Sequence, residues 1–116
     1  MSSVKIWHNP RCSKSRQGMQ YLNEKKCNLD IYEYMQEKID PEELARVIKM
    51  SDHPLDDFIR KGEAEYNELG LANKDLTVEE FAKIASEHPR LLQRPIVIKD
   101  SKAVIARPTE KIDEIL

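Results

Sequence analysis

The spacing of apolar positions changes period several times along the chain. Val4 to Trp7, "VKIW", is a short apolar run of the kind a buried strand shows, and Pro10 ends it. From Ser13 the stretch "SKSRQGMQYLNEKK" reads as a helix, with Met19 and Leu22 three apart and Lys25 and Lys26 suited to its C-terminus. Leu29 to Met35, "LDIYEYM", alternates apolar and polar residues and carries two tyrosines, which predicts a second strand. Strand–helix–strand normally places its two strands in parallel, because only a long crossover can return the chain in the same direction.

A helical region follows. Asp40, Pro41 and Glu43 supply an N-cap, a proline at the first helical position and a reciprocal cap, and Leu44, Val47 and Ile48 then make one apolar face. "LDDFIRK" carries Leu55, Phe58 and Ile59 in a shorter segment. Thr77 with Glu80 is a second capping box, opening a helix that turns Phe81, Ile84 and Ala85 inward and stops near Pro89. The pattern then returns to strand: "PIVI" (Pro95 to Ile98), the polar turn "KDSK" and "AVIA" (Ala103 to Ala106) predict a hairpin, and Thr109 to Leu116 a last short helix with Ile112, Ile115 and Leu116 on one side. The order βαβ, helical insert at about 41–90, then ββα predicts an α/β fold with a four-stranded mixed sheet in a single domain, 1–116.

Composition adds mainly exclusions. With 116 residues the chain holds one modest core. Nineteen basic against twenty-one acidic residues leave a net charge of −2, which gives no field for nucleic acid or a membrane surface. No apolar stretch is long enough to span a bilayer, and the first residues lack a signal-peptide pattern. Two cysteines, Cys12 and Cys27, are too few for a disulfide scaffold, so a reducing, cytoplasmic setting with free thiols is expected.

Local chemistry singles out Cys12. It lies in "HNPRCSKSR", at the junction of the first strand and the first helix, with His8, Arg11, Lys14 and Arg16 close in sequence. Unpaired N–H groups and the positive end of the helix dipole stabilise a negative charge there. Thiols so placed fall from a pKa of ~8.5 to ~3.5–7.5. A shift of about two units favours the thiolate by ~2.7 kcal/mol. Ser15, three residues on, shares the helix face and can aim its hydroxyl at the sulfur. A small buried residue closing a strand would not need these polar and charged neighbours, so a nucleophilic Cys12 is the expectation.

Spacing also limits what this thiol can be. A Cys-x-x-Cys switch is absent because position 15 is serine, and a phosphatase-type anion loop would need arginine where Gly18 stands. One cysteine with one nearby histidine is too little for a metal site, so no metal is expected. A helix rising ~1.5 Å per residue would put Cys27 roughly 20 Å from Cys12, beyond any disulfide. Cys27 is therefore read as structural, and an external thiol must complete any redox cycle.

"HNPRCSKSR" resembles the active-site motif of the glutaredoxin-coupled arsenate reductases, whose usual form is His-Asn-Pro-x-Cys-Gly-Thr-Ser-Arg. The similarity continues through "FIRKGEAEYNELGL" (Phe58 to Leu71), "HPRLLQRPIVI" (His88 to Ile98) and "VIARPTEKIDEIL" (Val104 to Leu116), in the family's order and over almost the whole chain. The resemblance implies a thioredoxin-like fold with a helical insertion and a cis Arg94–Pro95 bond beside the thiol. It implies reduction of arsenate to arsenite through a covalent thiol–arsenic intermediate at Cys12, with glutathione as co-substrate, glutaredoxin as partner and no bound cofactor. It carries over His8 and Ser15 beside Cys12 as catalytic residues, His8 either as the group that lowers the thiol pKa or as a residue that only hydrogen-bonds the loop. Arg60, Arg94, Arg107 and Arg16 become oxyanion-binding residues, a task that suits guanidinium groups with their fixed, always-charged donors.

The chain departs from the family motif at Ser13 and Lys14, where Gly-Thr is usual. Serine lacks glycine's freedom at positive φ, so a shifted anion loop is expected there. Two other functions fit the same fold: a glutathione-dependent thiol oxidoreductase acting on another substrate, and a non-enzymatic regulator resembling Spx, which binds RNA polymerase. Spx senses oxidation through Cys-x-x-Cys, and Ser15 removes that switch.

Overall fold

The computed structural model describes residues 3–116. Its elements are β1 (Ser3–Trp7), α1 (Ser13–Glu24), β2 (Asn28–Tyr32), α2 (Pro41–Met50), α3 (Ala64–Glu68), α4 (Val78–Glu87), β3 (Ile96–Lys99) and β4 (Lys102–Ile105). Short 3-10 turns occupy Leu55–Phe58, Leu71–Asn73, Pro89–Leu91 and Thr109–Glu114. The strands form one sheet in the order β2-β1-β3-β4, with β1 parallel to β2 and the other pairs antiparallel. The mixed sheet is as expected, and the helical stretch enters between its second and third strands. No helix among the described residues is long and apolar enough to cross a membrane.

The two-residue period of the strands divides the core. Tyr32, Trp7, Ile96 and Ile105 stand in one row across the sheet, and Ile31, Ile6, Val97 and Val104 in the next. The first row belongs to the larger core, packed against Leu44, Val47 and Ile48 of α2, Phe81 and Ala85 of α4, and Phe58 and Leu91 of the 3-10 turns. Ile6, Val97 and Val104 of the second row belong to a smaller core with Leu22 of α1 and Ile112, while Ile31 at the sheet's edge is exposed. Adjacent rows point to opposite faces, so the helical insert covers one face while α1 and the last turn cover the other.

One close approach depends on a glycine. A Cβ at Gly18 of α1 would lie 3.1 Å from Pro95 Cγ and 3.6 Å from Ile6 Cδ1. The helix therefore seats directly on the residue that follows Arg94. Gly18→Val is expected to destabilise the protein by ~1–3 kcal/mol through overpacking, read as a lowered urea midpoint; an unchanged midpoint would mean that α1 can lift freely.

Several boundaries differ from the sequence reading. β2 stops at Tyr32 because β1, its only partner in this direction, stops at Trp7. The amides of Gln36 and Glu37 then donate back to the Glu33 carbonyl, each at 3.0 Å, and turn the chain. Asp40 caps α2 by accepting from the Glu42 N–H at 3.0 Å, but Glu43 does not close the box; its Oε1 accepts instead from Lys5 Nζ of β1 at 3.1 Å. Thr77 and Glu80 do form both bonds of a capping box, at 3.1 and 2.9 Å. The final segment is a 3-10 turn rather than an α-helix. α1 ends at Glu24, and Lys26 is left-handed with φ 59°, so the two lysines lie past the helix rather than in its last turn.

Candidate active site

The strand register shows how distant parts of the chain meet. Two residues beyond the row Tyr32, Trp7, Ile96 and Ile105, the same alignment would bring Tyr34, Asn9, Arg94 and Arg107 together at the edge of the sheet. A step of two keeps the same face, so this row meets the helical insert rather than α1. The chain confirms the alignment with backbone bonds: His8 N–H donates to the Tyr32 carbonyl at 2.8 Å, and Ala106 N–H to the Pro95 carbonyl at 3.0 Å. Arg60 joins from the insert. Its N–H donates to the Leu91 carbonyl and the Gln93 N–H to the Phe58 carbonyl, both at 2.8 Å, forming a bridge that ties the arginine to the strand leading into Arg94.

Cys12 is the N-cap of α1, with extended φ and ψ of −95° and 124°. Its sulfur stands at the open end of the helix, before the unpaired amides of the first turn. Burial alone would raise its pKa. The Ser15 N–H, the hydrogen bond and charge of the Arg94 guanidinium, and the Lys14 N–H outweigh that, and the thiol is held below its ordinary value. Arg107 Nη2 lies 3.7 Å from the sulfur, while its Nε donates to the Arg94 carbonyl at 2.7 Å. Arg94 acts on the thiol pKa, and Arg107 makes the hydrogen-bond contact with the sulfur. Two guanidiniums thus face one sulfur.

The loop before Cys12 is held by buried polar groups. Ser15 is fully buried, and His8 and Asn9 are 8% and 7% exposed. Ser15 Oγ accepts from the Asn9 N–H at 2.9 Å and is hydrogen-bonded to His8 Nδ1 at 2.6 Å. Asn9 Oδ1 in turn accepts from the Arg11 N–H at 3.0 Å.

These contacts revise three expected roles. The Ser15 hydroxyl serves the loop, while its backbone N–H helps hold the thiol pKa down. His8 is neutral at neutral pH, because burial lowers its pKa despite the nearby Glu33 carboxylate, with Arg16 lowering it further. A neutral ring has no charge to lend the thiol. Arg16 donates through Nη1 to the Pro10 carbonyl at 2.8 Å, bracing the loop from outside rather than facing the sulfur. Ser13 is the first residue of α1, and neither it nor Lys14 has a positive φ, so the change from Gly-Thr costs this loop no backbone strain.

Arg60, Arg94 and Arg107 do converge. Arg60 has its pKa lowered by burial first, then by the Arg94 and Arg107 charges, while Glu63 and the Cys12 sulfur act in the opposite sense. Glu63 Oε1 lies 3.4 Å from Arg60 Nε as an ion pair, leaving the far end of the guanidinium free of it. Arg60 Nη1 and Arg94 Nε are buried without a hydrogen-bond partner. Arg60 and Arg107 line a cavity of about 320 Å³. Buried donors left unpaired beside a cavity are expected where an anion binds. Both Arg94–Pro95 and Arg107–Pro108 are cis. Among the described residues no group of three or more His, Cys, Asp or Glu side chains gathers as a metal site would require.

Sequence reading missed Tyr34. It is 1% exposed, its ring packs on Trp7 at 6.1 Å between centroids, and its hydroxyl closes no hydrogen bond. Burial pushes its pKa up to about 12, against the Arg94 charge, which pulls it down. The phenol therefore stays protonated beside Arg94. Its position at the end of the second strand was the available signal, since a parallel neighbour ends at the same edge of the sheet. An unpaired buried hydroxyl costs ~1–3 kcal/mol. Tyr34→Phe is thus expected to melt at or above the wild-type temperature in a thermal scan, and a clear fall would mean that the hydroxyl is bonded after all.

A thiol of lowered pKa at a helix N-terminus, faced by guanidiniums on a thioredoxin-like sheet, marks an oxidoreductase. Residues 7–115 match the ArsC family model, and the chain belongs to that family. It is 40% identical over 115 residues to an arsenate reductase of Haemophilus influenzae, covering 98% of this chain and 99% of that one. It is 36% identical over 117 residues to an arsenate reductase of Neisseria meningitidis, covering all of both. The fold matches the structure of an arsenate reductase from Vibrio cholerae with a TM-score of 0.92 at 34% identity, over 99% of this chain and 98% of that one.

Proposed function

We propose that this protein reduces arsenate to arsenite with glutathione and glutaredoxin, through a covalent adduct on Cys12. What supports the reading is the convergence of Arg60, Arg94 and Arg107 on a single thiol held below its ordinary pKa, in a member of this family. Arsenate is a tetrahedral anion, and these donors offer it charge in a partly water-excluded place without reorganisation.

The Cys12 thiolate attacks arsenic, an As–S bond forms, and one oxygen leaves as water. Glutathione displaces a second oxygen as water and adds a second As–S bond. A glutaredoxin thiolate then attacks the glutathione sulfur. The electron pair of that As–S bond passes to arsenic, reducing As(V) to As(III), and glutathione departs as a mixed disulfide with glutaredoxin. Water releases arsenite and returns Cys12 as the thiol. One reactive cysteine suffices, because both reducing equivalents come from outside thiols.

The test is NADPH oxidation coupled through glutathione reductase, with purified protein, glutathione, glutaredoxin and arsenate. Turnover should require all four. No arsenate-dependent signal, or equal turnover with thioredoxin and no glutathione, would overturn the proposed coupling.

A further inference from the structure

Beside the thiol loop lies a second cavity, larger than an oxyanion needs. It measures about 390 Å³, within the ~300–1,000 Å³ range of sites that hold small organic ligands. Its walls come from residues 9–11, just before Cys12, from the turn after β2, and from Glu63 and Arg90 of the insert, and Arg94 lies within it. The same Arg94 guanidinium acts on the Cys12 sulfur, so one side chain links the cavity to the thiol. The Arg60–Arg107 cavity shares only Glu63 with it. Arg94 thus stands in one cavity and Arg107 in the other.

The charges in this cleft are mixed. Arg11, Arg90 and Arg94 are cations, Glu33 and Glu63 anions, and Gln36 adds an amide. That pattern suits a short peptide with two carboxylates, one ammonium and a thiol, and the cleft's net charge is opposite to that peptide's. Glu33, which the Arg60–Arg107 cavity lacks, suits an ammonium rather than a bare oxyanion.

We propose that this cleft is the binding site for a small zwitterionic peptide thiol of the glutathione type, with Arg11 and Arg90 holding its carboxylates. The peptide then reaches Cys12 by way of Arg94. This rests on the thiol-relay reading above but is tested without arsenate.

Glutathione disulfide is the probe. The Cys12 thiolate attacks one of its sulfurs, a Cys12–glutathione disulfide forms, and one glutathione thiolate leaves; the rate is followed by intact mass. The double variant Arg11→Glu, Arg90→Glu changes two exposed side chains outside the thiol's own contacts. It should slow this reaction about tenfold, as expected when a charged cleft is reversed, and leave exchange with uncharged hydroxyethyl disulfide within about twofold. A matched reversal on the other side of Arg107, Lys61→Glu with Lys111→Glu, should leave the glutathione rate within about twofold of wild type.

Unchanged glutathione exchange in the Arg11, Arg90 variant would overturn the site. So would equal slowing of both disulfides, or equal slowing by the lysine pair, which would show a disturbed thiol or general steering. Absence of arsenate turnover in the coupled assay would leave this result standing, and failure here would leave arsenate turnover untouched.

Discussion

Cys12→Ser is expected to abolish arsenate-dependent NADPH oxidation, a loss of about 10⁴-fold or more that leaves only background. The same amides and guanidiniums that hold a thiolate near neutrality cannot ionise a serine hydroxyl there. The loss is chemical and not a failure to fold. Cys12 is the N-cap of α1, and serine is among the preferred residues at that position. The variant should therefore melt at or above the wild-type temperature while losing all turnover. Retained turnover would mean that another group attacks arsenic.

Arg94→Leu should have the second largest effect, in two readouts. It removes a charge and a donor that act on the Cys12 sulfur, so the pH midpoint for thiol alkylation should move up toward that of an ordinary cysteine. It also removes an oxyanion donor, so kcat/KM for arsenate should fall on the order of 10²–10³-fold. An unmoved alkylation midpoint with kcat/KM within threefold of wild type, roughly what one solvated hydrogen bond is worth, would take Arg94 out of the site. Arg16→Leu is the contrast. Its bond to the Pro10 carbonyl is exposed, so the expected loss is ~0.5–1.5 kcal/mol, at most about tenfold in rate and with no change in thiol pKa.

The parts of the site that could be read along the chain are those set by neighbours in sequence. Cys12 precedes a helix by one residue, and the amides of Lys14 and Ser15 must follow wherever that helix forms. The role of the Ser15 side chain was misread for the same reason. Helical spacing puts it on the sulfur's side, but the loop closing over His8 and Asn9 offered its hydroxyl two buried partners, and a buried polar network is satisfied before a solvent-facing one. His8 could be found in the motif, but its neutrality could not, because that depends on burial.

Helix caps and strand periods follow from the order of side chains alone, which is why the element sequence, the parallel pairing of β1 with β2 and a thiol poised at a helix end were within reach of the chain as written. Those features arise from interactions over a few residues. The meeting of Tyr34, Arg60, Arg94 and Arg107 depends on register between strands and on a bridge between residues 59 and 92, and no local rule states either. Tertiary packing alone decided which guanidiniums face the sulfur, which polar atoms are left unpaired, and that Arg94 and Arg107 line different cavities.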